Sequence, residues 1–194
     1  MTLYYSGIMY KDCKSKHAKE RQLKIMLSFV ELLEKNPLDT ITVTSLCAYA
    51  QIPRKAFYRY FDTISDLIDF WTDQIIRDMR DVLSIIDFSN KAHLRSYLED
   101  FFKYWNQHRS TIHIIRKNQL SNHVFMRMTN SAAKDFSAMN LNTSQISQEE
   151  IRFQMFVLIP ALISILYLWD DEHYSYSVKD ITDITYQTLS KPLL

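Results

Sequence analysis

Apolar residues early in the chain recur at the spacing of one helical face. Leu23, Met26, Leu27, Val30 and Leu33 follow the i, i+3, i+4, i+7 rule, which predicts an amphipathic helix. Pro37 closes it after Asn36, because the residue before a proline is pushed out of the helical region. Thr42 is placed to N-cap a second, short helix whose inward residues would be Leu46, Cys47 and Ala50. The run AQIP then breaks the pattern. Pro53 opens a third helix, where its fixed φ helps and its missing N–H costs nothing, and that helix is expected to reach about Phe61. Thr63 with Asp66 resembles a capping box for a fourth, SDLIDFWTDQIIRDMRDVL. From about Asp87 onward, residues 93–120, 121–136, the apolar run Met155–Trp169 and 177–191 read as further helices, with the polar stretch 140–148 as a loop.

Composition supports a helical reading. A single glycine and four prolines in 194 residues leave few of the residues that make hairpin turns, so an all-α fold is expected. Hydrophobic residues make up 47% of the chain, enough for a buried core and too many for a disordered one. Cys13 and Cys47 have neither CxxC spacing nor a neighbouring histidine pair, so neither a zinc site nor a disulfide framework is indicated. No metal and no cofactor is expected. The N-terminal residues do not read as a signal peptide, and a reducing, cytoplasmic setting fits. The apolar run Met155–Trp169 covers 15 positions, short of the roughly 20 that a membrane span needs, and acidic residues flank it. It reads instead as a buried helix, either between subunits or at the centre of a monomer's core.

Charge is distributed unevenly. Residues 1–64 carry ten Lys/Arg against six Asp/Glu, so in a chain of net charge +1 the remainder is acidic by three. A basic head on an acidic body suits a polyanion-binding module joined to a regulatory or assembly domain. Two short helices after a longer amphipathic one form the skeleton of a helix-turn-helix, with PRKAFYRYF as its reading helix. Phe57 and Phe61 would pack on Leu46, Cys47 and Val30, leaving Arg54, Lys55, Tyr58 and Arg59 outward. Lysine and arginine neutralise phosphates, tyrosine hydroxyls reach phosphate oxygens, and an arginine at the helix start can address a guanine edge.

The run TITVTSLCAYAQIPRKAFYRYFDTISDLI resembles the DNA-binding domain of the TetR family of bacterial transcription regulators. The match covers about 50 residues, Lys16 to Leu67, and AFYRYF is its most specific part. The resemblance implies an all-helical protein with an N-terminal arm (1–15), a three-helix DNA-binding domain (16–64) and a larger ligand-binding and dimerisation domain (65–194). It implies a homodimer on palindromic operator DNA, usually a repressor, with release by a small-molecule effector. By position, Thr42 and Thr44 would touch phosphate, Arg54, Lys55 and Ala56 would read bases, and Tyr58, Arg59 and Tyr60 would mix the two roles. The last two helices, segments 150–169 and 177–190, would pair across the dimer.

Two positions depart from that pattern. The turn position usually held by glycine is Gln51, where a positive φ would carry strain of roughly 1 kcal/mol. The fourth helix usually starts with a lysine that contacts phosphate, and here the position is Ile64. DNA affinity is then expected to lean on an arm holding Lys11, Lys14, Lys16, Lys19 and Arg21, residues that otherwise form a solvated terminus.

In the second half, Phe101, Tyr104, Trp105, Phe125, Met126, Met128, Phe153 and Met155 are candidates to line an effector cavity, with His108, His113 or His123 as polar contacts. The same side chains would equally serve as core. The chain lacks a glycine-rich phosphate loop, a G-x-S-x-G and an H-E-x-x-H, so an enzyme is not expected. The competing class is a helical assembly protein working by protein–protein contact.

Overall fold

The computed structural model describes residues 10–83, 91–138 and 147–190, and among these all regular structure is helical. The helices are α1 (Lys16–Lys35), α2 (Val43–Tyr49), α3 (Arg54–Phe57), α4 (Ile64–Leu83), α5 (Lys91–Gln107), α6 (Arg109–Lys117), α7 (Ser121–Ala138), α8 (Gln148–Asp171) and α9 (Val178–Ser190), with a 3₁₀ turn at Leu38–Thr40. The chain divides into two compact units, one up to Gln74 and one from Ile75, so α4 starts in the first and ends in the second. The expected loop at 140–148 lies outside the described residues up to 146, and Ser147 and Gln148 already belong to the start of α8.

In the first unit α1 begins where the Ser15 hydroxyl accepts the Ala18 N–H, and it ends at Asn36 as Pro37 requires. Its buried face differs from the expected one. Gln22, Ile25, Met26, Phe29 and Leu33 are inside, whereas Leu23 and Leu27 are exposed, Leu27 by 56%, and Val30 is half-buried. Both stripes obey helical spacing. The inner one wins because it buries Phe29 and Ile25 and because the polar Gln22 finds an acceptor, the Lys11 carbonyl, at 3.1 Å.

The second unit is built from longer helices. α5 packs against α9, and α7 and α6 against α8. Leu98, Phe101, Phe102, Trp105, Ile112, Ile115, Val124, Leu162, Leu166 and Trp169 form the core. The segment 93–120 is two helices rather than one, with α5 and α6 divided at His108. A straight continuation of the stripe Leu98–Phe101–Phe102–Trp105 would bring Arg109 and Arg116 inward next. Ile112 lies on that continuation too, and the break resets the phase so that Ile114 and Ile115 join it in the interior in place of the arginines. Arg116 then serves at the surface, donating to the Tyr167 carbonyl at 3.2 Å and to the carboxylates of Asp170 and Asp171 at the end of α8.

α2, α6 and α8 close in the same way. At each end a residue with positive φ, Gln51 (53°), Gln119 (57°) or His173 (50°), reverses the chain. At each, the N–H of the following residue reaches back to an orphan carbonyl, Ile52 to Cys47, Leu120 to Ile115 and Tyr174 to Trp169. This is the Schellman closure, which usually carries glycine.

Candidate nucleic-acid interface

α2 is short enough that its caps decide its position. The Thr42 hydroxyl accepts the Ser45 N–H at 3.0 Å while the Ser45 hydroxyl accepts the Thr42 N–H at 2.9 Å, a reciprocal capping box. Leu46 and Cys47 face inward, and Thr42 and Thr44 stay exposed. Desolvation raises the pKa of the buried Cys47 thiol, which therefore behaves as a small apolar side chain. Gln51 and Ile52 turn the chain, and Pro53 precedes α3 in extended backbone, as its ring demands.

α3 is shorter than the expected helix. Its regular part ends at Phe57, and Tyr58–Tyr60 continue as turns, with Tyr60 and Phe61 both donating backbone N–H groups to the Phe57 carbonyl. Phe57 and Phe61 are fully buried, 5.6 Å apart between ring centroids, and Phe61 meets Phe70 of α4 edge-on at 5.5 Å. The next helix is fixed by the predicted capping box: the Thr63 hydroxyl accepts the Asp66 N–H, and the buried Asp66 carboxylate accepts the N–H groups of Asp62 and Thr63.

Arg54, Lys55, Tyr58 and Arg59 are all exposed, and Ala56 is half-buried. An Arg54 Nη lies 3.5 Å from the Tyr58 hydroxyl one turn on, and that hydrogen bond is the first cause raising the guanidinium pKa. A group of fixed positive charge therefore stands beside a phenol on the outer face. Tyr60 does not share that face. Only 7% of it is exposed, so its ring works as core although sequence position groups it with the exposed residues. Ile64 is half-buried at the start of α4, and Lys14, Lys16, Lys19 and Arg21 are exposed.

In the second unit Phe101 and Trp105 are buried, and Tyr104, His108, His123, Phe125, Met126 and Met128 are half-buried. His113 is exposed. Burial is the first cause pushing the Tyr104 phenol up to about 12, and the Tyr104 ring stacks on His108 at 4.1 Å. Phe153 stands apart from these, 67% exposed on α8, and the Met155 side chain lies outside the described residues. Among the described residues no group of His, Cys, Asp and Glu could hold a metal ion, and no helix is long and apolar enough to cross a membrane.

No protein-family profile and no curated protein matches this chain. Solved structures do. A fatty acid degradation regulator, FadR, from Bacillus halodurans aligns over 94% of this chain and 98% of its own, with TM-score 0.62 and 14% identity. A TetR transcriptional regulator from Streptococcus agalactiae 2603V covers 89% and 95%, at TM-score 0.61 and 16% identity. A TetR-like transcriptional regulator from Rhodococcus sp. RHA1 covers 90% and 94%, at TM-score 0.54 and 12% identity. The chain has the fold of the TetR-family transcriptional regulators, along nearly its whole length.

Proposed function

We propose that the protein is a transcription regulator of the TetR type that binds a palindromic operator as a homodimer. One observation carries this reading: α3 buries Phe57 and, with the turn after it, Tyr60 and Phe61, while Arg54, Lys55, Tyr58 and Arg59 are exposed on its other face. A solvated edge would need no such support, whereas a surface that reads DNA must be held rigid. In this reading Thr42 and Thr44 meet phosphates, Arg54, Lys55 and Ala56 face base edges, and Tyr58 and Arg59 contact both backbone and bases. Tyr60 contributes from behind, as the packed underside of the interface. Residues 16–64 form the reading domain and 65–194 the regulatory one, in a cytoplasmic protein that acts by binding rather than by catalysis.

Dimerisation is assigned to segments 150–169 and 177–190. Phe153, Val157 (71% exposed) and Leu168 on α8, with Ile184 on α9, present apolar surface to solvent within one chain, and a second copy would cover it. The effector is assigned to the second unit. Tyr104, His108, Phe125 and Met128 are half-buried there, and the buried Trp105 indole N–H and Thr129 hydroxyl have no hydrogen-bond partner. Repression, relieved by that effector, is the proposed sign of control.

The test is a selection of bound sites from random duplex DNA by the full chain. Recovery of an inverted repeat with half-sites about one helical turn apart, or a multiple of it, is expected. A folded protein with no salt-dependent affinity for any duplex would return the chain to the assembly class.

A further inference from the structure

α3 has four residues and cannot hold itself, because one turn of helix fixes several dihedrals for a single hydrogen bond. The Arg54, Ala56 and Phe57 carbonyls are met locally by the N–H groups of residues 58–61, but the Tyr58 and Tyr60 carbonyls in the turn that follows still need donors. The structure supplies them from a point far away in sequence. The Lys11 N–H donates to the Tyr60 carbonyl at 3.1 Å, and the Lys11 ammonium donates to the Tyr58 carbonyl at 2.6 Å and to the Asp62 carboxylate at 3.0 Å. The Lys11 carbonyl in turn accepts the amide of the buried Gln22 in α1. One residue earlier, the Tyr10 hydroxyl donates to Asp73 at 2.8 Å, and its ring meets Phe70 edge-on at 4.9 Å. Lys11 is thus stitched to the end of the reading helix by main chain and side chain, and backed by α1 and α4.

We infer that Lys11 and Asp62 form a clamp that sets the position of the reading helix, so that Lys11 acts on DNA binding through Tyr58 and Tyr60 and not by touching phosphate. The inference rests on the proposed DNA-binding reading. It reverses the expectation from composition, under which Lys11 is one more basic residue of a DNA-contacting arm. An exposed ion pair alone contributes little. Here the pair is joined by two main-chain acceptors, which fixes direction as well as distance. Two of the ammonium's three donors are taken by these protein acceptors, the Tyr58 carbonyl and the Asp62 carboxylate.

The opposite signs of the two charges make the idea testable. Lys11→Met removes a positive charge and Asp62→Asn a negative one, so a purely electrostatic role predicts opposite effects on DNA affinity. The clamp predicts that both weaken binding to the selected operator, by roughly three- to tenfold, and that their effects do not add in the double variant. The salt dependence of log K should stay as steep in Lys11→Met as in the parent, whereas a lost phosphate contact would lower the slope by about 0.9. Lys11→Arg should restore affinity.

A second measurement needs no DNA: residue-resolved amide exchange by NMR on the free, full-length chain. The Lys11, Tyr60 and Phe61 amides should exchange faster in Lys11→Met and Asp62→Asn, with the Leu46 amide of α2 unchanged. Tighter binding by Asp62→Asn, or a flatter salt dependence in Lys11→Met with unaltered exchange, overturns the clamp. If the parent binds no duplex, the functional reading falls and the exchange result still decides the clamp.

Discussion

The two units of the chain are held together by different means. Up to Gln74, short pieces are pinned individually: reciprocal caps at Thr42 and Ser45, a second box at Thr63 and Asp66, a prolyl start to α3, and a strained reversal at Gln51. From Ile75 onward, helices up to 24 residues long lie against one another through apolar faces, and polar links such as Arg95 to Asp183, 2.6 Å between α5 and α9, and Arg116 to Asp171 add to that packing. Pinning small elements one by one defines where each side chain points, which a surface that reads DNA requires. Packing long faces tolerates sliding and leaves apolar surface over, which would suit the partner contact and the ligand proposed for this region.

The largest effect that would sharpen this contrast lies within α8. Leu166 is buried in the protomer's own core, so Leu166→Asp should unfold the second unit, at a cost of about 4 kcal/mol or more. Val157→Asp, on the same helix but exposed, should leave monomer stability within about 0.5 kcal/mol and abolish the dimer. Sedimentation and thermal melts together separate the two outcomes. A Val157→Asp protein that remains dimeric would remove α8 from the interface.

Next in size is the underside of the reading helix. Phe57→Ala empties a fully buried site, and a loss of roughly 3–5 kcal/mol is expected, with the DNA defect and a lowered melting temperature appearing together. On the outer face of the same helix, Arg54→Ala should cost about 1–3 kcal/mol on the preferred operator and relax discrimination at one base pair per half-site, without altering the melt. Lys55→Ala should likewise weaken binding to the preferred operator and relax discrimination at a neighbouring base pair, again without altering the melt. If these three variants melt and bind alike, α3 is not divided into a supporting and a reading face.

The smallest effect concerns the strained reversal. Gln51→Gly removes the left-handed penalty of roughly 1 kcal/mol and should raise the melting temperature slightly while leaving operator affinity unchanged. A destabilised Gln51→Gly protein would mean that the glutamine side chain compensates its own backbone.

Much of the first unit could be read from residues alone, because caps and prolines act through local chemistry that does not depend on distant neighbours. Thr42, Pro53, Thr63 and Asp66 all stand where their side chains and rings predict, and Gln51 has the positive φ that its place in the turn implies. Faces were harder. α1 offers two apolar stripes of equal spacing, and the choice turns on Gln22 finding the Lys11 carbonyl, eleven residues away and invisible to any periodicity. The break at His108 and the burial of Tyr60 have the same origin, since each follows from what packs against the segment and not from the segment itself. The bonding of Lys11 shows the limit most clearly, because a lysine in a basic run reads as an unengaged charge until its acceptors, the Tyr58 carbonyl and Asp62, are known.

The division of α3 into a packed underside and an exposed outer face also bears on how such a protein changes over generations. Phe57, Tyr60 and Phe61 hold the shape, so descendants can replace Arg54, Lys55 or Arg59 without endangering the fold. Under the proposed DNA-binding reading, each such replacement would alter which operator is preferred while the packed underside stays as it is. In that reading a lineage would acquire new target genes by drifting through those exposed positions, and the cost of a wrong step would fall on recognition alone.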